Sequence, residues 1–162
     1  MRYYIKQKVF SWRDQFTVKD ESGRDAYFVE GELFSWGKKL SVTNTEGQEV
    51  LYIQQNVWNF LPNYTLFMYG KEVATVRKEF SFLRPRYTIL GPDWEVEGNV
   101  WEHNYDIYDG NELIAAINKE WFTWGDSYEL DIVDESHSLM ALGVIIIIDC
   151  VLAAQQNSSS NS

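Results

Sequence analysis

Residues 139–154 read LMALGVIIIIDCVLAA, apolar at every position except Gly143 and Asp149. Read as a helix, the four consecutive isoleucines Ile145–Ile148 put branched side chains on every side, so no face is left for water. Asp134 and Glu135 precede the run where a helix N-terminus favours acids, and Ser136 or Ser138 stands where a cap is needed. A transmembrane span and a central strand are the rival readings. As a helix the sixteen residues rise only about 24 Å, short of a hydrocarbon core of roughly 30 Å. Asp149 in lipid would cost about 2.5–3.5 kcal/mol. The run is also long for a strand. A helix buried all round, at about residues 137–154, is the reading adopted, with no transmembrane span.

Something must surround such a helix, and the rest of the chain is built of hairpins. Gly23-Arg24-Asp25-Ala26, Gly47-Gln48-Glu49-Val50, Gly70-Lys71-Glu72-Val73 and Gly110-Asn111-Glu112-Leu113 share one pattern of glycine, polar residue, acid and apolar residue. A large aromatic follows each glycine by 10 or 11 positions (Phe34, Trp58, Phe80, Trp121). A strand-like run begins at 17 or 18 positions (Leu40, Tyr64, Tyr87, Tyr128). Glycine supplies the positive φ of a tight turn, and the flanking runs carry the β-branched and aromatic residues that strands prefer. Apolar and acidic residues alternate in Trp94–Glu97 and Tyr128–Ile132, as in antiparallel strands with one wet face. The long interval from Gly70 to Gly110 has room for one more hairpin, turning near Gly98-Asn99.

These runs amount to about twelve strands, at a spacing that suits a barrel or a sandwich. A barrel of that size is too wide for its own side chains to fill, and the apolar helix is too greasy for the surface. The expected fold is therefore all-β with one helix: a closed antiparallel β-barrel of about twelve strands enclosing a central C-terminal helix. One domain covers residues 1–154, and the polar tail 155–162 is expected to be disordered.

Composition narrows the function. The net charge of −10 and the 24 acids against 14 bases disfavour nucleic acid as a partner. The N-terminus lacks the apolar run of a signal peptide and the single cysteine cannot form an internal disulfide, so a cytoplasmic protein, peripheral to a membrane at most, is expected. Cys150 lies in the apolar run, and His103 and His137 have no metal or triad spacing. Phosphate-binding glycine loops are absent. No catalytic residue, cofactor or metal is expected, and the chain reads as a non-enzyme.

The stretch Gly70–Ser81 with Arg86-Tyr87-Thr88-Ile89, the segment Ile114–Tyr128 around Lys119-Glu120-Trp121-Phe122-Thr123-Trp124, and the helix Ala141–Asp149 resemble the LURP-one-related family. The likeness runs from about residue 3 to 154 and rests on structural motifs, none of them catalytic. It implies the tubby-like fold, a barrel threaded by a hydrophobic C-terminal helix. In the wider fold, tubby C-terminal domains bind phosphoinositides through exposed basic residues, so the resemblance implies a headgroup-binding or membrane-surface role. The tubby basic residues do not carry over to this chain position by position.

Three candidate sites follow from the residues. Arg77, Lys78, Arg84 and Arg86 bracket a turn tipped by Phe82 and Leu83, and Lys38 and Lys39 occupy an equivalent turn; together they would form a basic patch for an anionic headgroup. That patch requires the bases to converge on one face with little acid between them. The aromatic turns Phe34-Ser35-Trp36, Trp58-Asn59-Phe60, Phe80-Ser81-Phe82 and Trp121–Trp124 either rim a contact surface or cap the barrel, and the cap is the reading favoured. Asp149 is expected to be a buried polar anchor. The alternative to lipid binding is a protein-interaction scaffold whose acidic face, residues 93–112 and 126–135, recruits a basic partner.

Overall fold

The computed structural model describes residues 1–6, 15–34, 37–81, 86–120 and 127–160. Twelve antiparallel strands close into one barrel: β1 (Arg2–Lys6), β2 (Gln15–Asp20), β3 (Asp25–Phe34), β4 (Gly37–Asn44), β5 (Glu49–Gln55), β6 (Asn63–Met68), β7 (Lys71–Glu79), β8 (Arg86–Leu90), β9 (Trp94–Asn99), β10 (Asn104–Asp109), β11 (Glu112–Glu120) and β12 (Ser127–Ile132). Each strand pairs with its neighbours in sequence, and β1 closes the ring on β12, from Arg2 opposite Asp131 to Lys6 opposite Ser127. Closure leaves no unpaired edge.

The repeat read from the glycines is real and carries a detail the sequence hides. Gly23, Gly47, Gly70 and Gly110 all have positive φ, between 57° and 79°. In each of these hairpins the register shifts by one residue, the extra residue lying in the strand after the glycine: Ala26, Val50, Val73 and Ile114. Such bulges tighten strand twist, which a closing barrel needs. The additional hairpin is β8–β9, turning through Gly91–Asp93, and the chain turns again after Asn99 through a short 3₁₀ segment, Val100–Glu102.

This up-and-down order gives the barrel two unlike ends. The glycine turns lie at one, the turn end. The connections after β1, β3, β5, β7, β9 and β11 lie at the other, the loop end.

Strand β12 runs from the loop end to the turn end, where Asp134 caps a 3₁₀ turn (Glu135–His137) by accepting from Ser136 N at 2.9 Å. The cap is thus Asp134, rather than Ser136 or Ser138. Helix α1 (Ser138–Ser160) then runs back through the lumen to the loop end. Leu142 and Val144–Ile148 are fully buried against the inward residues of the strands. Gly143 marks a close approach to the wall: a Cβ there would stand 2.7 and 2.8 Å from the Leu66 methyls. The segment Glu135–Gln155 is long and apolar enough to cross a membrane, and two-thirds of it is buried inside the barrel.

The helix continues past the Ala154 at which the apolar run stops, so the polar residues as far as Ser160 are helical and not an irregular tail. No Pro or Gly follows Ala154 to end the run of backbone hydrogen bonds.

Candidate functional site

Strand alternation decides where the basic residues point. Arg77, Glu79, Arg86 and Thr88 share the outer face, with Arg77 opposite Thr88 and Glu79 opposite Arg86. Arg77 Nε donates to Glu79 Oε1 at 2.8 Å, and Thr88 Oγ1 donates to the same oxygen at 2.8 Å. These two bonds, ahead of the charges of Arg77 and Arg86, hold the Glu79 carboxyl below its ordinary range.

Lys78 lies between them in sequence, so it points to the other face, with the buried Tyr87 directly across the ladder. Lys39 is on the outer wall opposite Glu32, whereas Lys38 is interior and only 9% exposed. Burial lowers the Lys38 ammonium to about 8 and also lowers Lys78. Arg84, Phe82 and Leu83 lie outside the described residues.

Among the described residues, the bases of the expected patch therefore do not share one exposed face. Arg77 and Arg86 are outside with an acid between them, while Lys38 and Lys78 are inside. The periodicity of two separates neighbours that the sequence lists side by side.

The interior at the loop end is more polar than the sequence suggested. Strands β4, β6, β8, β10 and β12 carry Lys38, Tyr64, Tyr87, Tyr105 and Tyr128 buried near this end, one layer outside Leu40, Leu66, Ile89, Ile107 and Leu130. Lys119 pairs across the ladder with Tyr128 and so faces the same way. Helix α1 brings Asp149 into this layer. Tyr128 OH donates to Asp149 Oδ2, and His103 Nε2 lies 3.1 Å from Asp149 Oδ1.

The His103 ring stacks on Tyr128 at 4.6 Å between centroids and 25° between planes. Its backbone is left-handed, φ 52°, which is uncommon for a residue with a Cβ and is what turns the imidazole inward after the 3₁₀ segment. Burial raises the Asp149 carboxyl above its ordinary range, opposed by its bond to His103. Asp149 sits where a buried anchor would, with two neutral-capable donors on its two oxygens.

The hydroxyls of Tyr87 and Tyr105 are buried in the same region and have no hydrogen-bond partner among the described residues. Burial is the main cause that raises both phenols, and the Asp149 charge adds to it. Cys150 is buried, its thiol pushed up to about 12. Among the described residues no cluster of three or more His, Cys, Asp or Glu side chains is grouped as a metal site would require.

The loop-end rim departs from the expected aromatic cap. Trp58 is 98% exposed, Phe60 100% and Phe80 69%. Phe34, Trp36 and the rings of Trp121–Trp124 are not among the described side chains. The loop bearing Trp58 and Phe60 is pinned at its base. Asn56 N donates to Asn63 O at 2.8 Å, and Asn56 Nδ2 reaches Asn63 Oδ1 at 2.6 Å and Thr65 Oγ1 at 2.9 Å. Lys78 N donates to Pro62 O at 2.9 Å, tying the loop to β7. No charged residue occurs between Glu49 and Lys71. On the outer wall away from this rim, Glu97 and Asp106 face one another across β9 and β10.

Comparison with known proteins agrees with this architecture. The chain is 34% identical over 156 residues to the uncharacterized protein YxjI of Bacillus subtilis (strain 168), covering 96% of each chain. The fold is similar to that of a crystallographically determined protein of Arabidopsis thaliana, with a TM-score of 0.62 and 16% identity, over 92% of this chain and 90% of that one. At that identity the likeness concerns the fold alone. The LURP-one-related family model matches residues 1–149, and no catalytic family is indicated. The chain, a tubby-like barrel closed around its own C-terminal helix, belongs to the LURP-one-related family.

Proposed function

We propose that this chain is a non-enzymatic domain that docks on a membrane surface with its loop end toward the bilayer. The observation that carries the proposal is the loop of residues 56–62: Trp58 and Phe60 project almost wholly into solvent from a hydrogen-bonded, uncharged base. Large aromatics so displayed gain nothing in the folded monomer, whereas the interfacial zone of a bilayer accepts Trp in particular. Phe80 stands on another connection at the same end and adds to the apolar rim. Burying two such rings contributes about 1.5–3 kcal/mol each, enough for reversible surface binding and not for permanent insertion. Arg77 is paired with Glu79 and Arg86 stands across the ladder from the same acid, so the reading places docking in the aromatic loop instead of the basic hairpin.

The test is co-sedimentation with phosphatidylcholine vesicles at low and physiological salt. The expected result is partitioning that changes little with salt and falls about 30-fold or more in Trp58→Ala/Phe60→Ala, with the thermal midpoint unchanged. Absence of vesicle binding by the folded protein would sink the proposal. A second reading, a scaffold for a basic partner, is favoured by Glu97 facing Asp106, a like-charge pair that costs stability unless a cation covers it. Salt-sensitive binding of a polylysine peptide that is lost in Glu97→Gln/Asp106→Asn, together with no vesicle binding, would put that reading first.

A further inference from the structure

Trp58 and Phe60 stand on a braced loop. Between the two rings, Asn59 Nδ2 donates to Asn56 O at 3.4 Å and draws the tip together. On the β4 side, Lys38 N donates to Gln55 Oε1 at 3.2 Å. Gly37 beside it, at φ 117°, lies so close that a Cβ there would stand 2.5 Å from Val57 Cγ1. With Pro62 tied to β7, the loop is held from both neighbouring hairpins. A loop held in one shape loses little freedom on binding, so the two rings act as a fixed wedge.

The charge around the wedge is balanced. The stretches that join strands at the loop end are residues 7–14, 35–36, 56–62, 80–85, 100–103 and 121–126. Their sequence holds Lys8, Arg13 and Arg84 against Asp14, Glu102 and Asp126, three bases against three acids, in a chain of net charge −10. The same stretches hold six of the seven tryptophans, whereas the turn-end connections hold none. Trp101, another of these six, is 45% exposed.

A bilayer can attract such a surface in two ways. Anionic headgroups draw in clustered bases, and the acyl boundary accepts apolar rings. The balanced connections gain nothing net from the first, and the acidic body opposes it within a screening length of about 8 Å at physiological salt. Binding then depends on the rings alone. A shallow wedge has to part the headgroups before it reaches the acyl chains. That work is least where the lipids are already spread, by high curvature or by unsaturated chains.

We infer that the loop end, through Trp58 and Phe60, recognises loosely packed bilayers with uncharged headgroups and discriminates against anionic ones. This selectivity rests on the docking reading given above and specifies which bilayer the loop takes.

The experiment is co-sedimentation of the full chain with phosphatidylcholine vesicles, small sonicated or large extruded, with unsaturated or saturated chains, each with and without phosphatidylserine. At equal accessible lipid, partitioning onto small unsaturated vesicles should exceed that onto large saturated ones by about tenfold or more, and phosphatidylserine should weaken it. Trp58→Ala/Phe60→Ala should abolish the preference with the thermal midpoint unmoved, since both side chains are exposed. Asn59→Lys places a cation at the exposed tip and should create salt-sensitive binding to the phosphatidylserine vesicles. An Asn59→Lys protein indifferent to phosphatidylserine would mean that charge does not set the selectivity, and the inference fails. Equal partitioning onto all the neutral vesicles overturns it while leaving the docking reading in place. A wild-type preference for phosphatidylserine that fades with salt overturns it too. Binding to no vesicle removes both, and self-association lost in Trp58→Ala/Phe60→Ala would then assign the rings to a second copy of the chain.

Discussion

Lys38 shows most plainly what a single side chain gains and loses by its place in the fold. In the sequence Lys38-Lys39 is a doublet beside a turn; in the barrel one lysine is outside and the other is buried. The buried ammonium titrates at about 8 against an ordinary 10.5 because burial disfavours its charge. A lowered folded-state pKa in a base means that the native state loses the proton first. Its burial cost is therefore in full force below pH 8 and is relieved as pH rises toward 10.5. We expect stability attributable to Lys38 to increase through that window by about 3 kcal/mol. Denaturation midpoints of wild type and Lys38→Met, measured from pH 7 to 10.5, should diverge below pH 8 in favour of the variant and converge above it. Parallel curves would contradict the interior placement. Asp149 was legible because one carboxylate in an apolar run must find partners. Its partners were not, since His103 and Tyr128 lie 46 and 21 residues away and only barrel closure brings them in.

At the scale of elements, the hairpin repeat was legible because turns and strand alternation are local properties, written within a dozen residues of each glycine. The bulges after those turns were not, because a one-residue register shift depends on both strands of a pair. The aromatic turns misled in a different way. Spacing places Trp58 and Phe60 in a connection but does not say whether the connection folds over the lumen or away from it, and the Asn56 hydrogen bonds decide that. The helix comes close to the wall at Gly143, against Leu66 and Leu51. We expect Gly143→Val to cost about 1–3 kcal/mol through overpacking, despite valine's greater apolar area. Leu66→Ala opens a cavity and should cost about 2–5 kcal/mol alone. The double variant should cost less than the sum by about 0.5–3 kcal/mol, as chemical denaturation of the four proteins would reveal. Additive costs would mean that the helix does not seat against β6.

The whole molecule is a wall and a plug that cannot be separated. The two were legible together because neither part is stable alone: a twelve-stranded ring has a lumen to fill, and a helix apolar on all sides has no surface to face. Eight fully or almost fully buried aliphatic side chains of α1 (Leu142, Val144, Ile145, Ile146, Ile147, Ile148, Val151 and Leu152) enter the core. At about 1.5–3 kcal/mol each they contribute about 12–24 kcal/mol of gross burial, an upper figure because unfolded chains are partly collapsed. Net domain stabilities are only about 5–15 kcal/mol. A chain ending at Ser138 thus loses more than the barrel has to spare, and its strands would keep an apolar lining open to water. We expect the truncated chain to show no cooperative thermal transition and to aggregate or bind hydrophobic dyes. Supplying residues 138–160 as a separate peptide should restore a transition whose midpoint rises with peptide concentration, as mass action requires for a ligand that binds only the native state. A truncated chain that melts cooperatively by itself would show that the wall closes without its plug, and would recast α1 as an occupant of the lumen instead of the core of the fold.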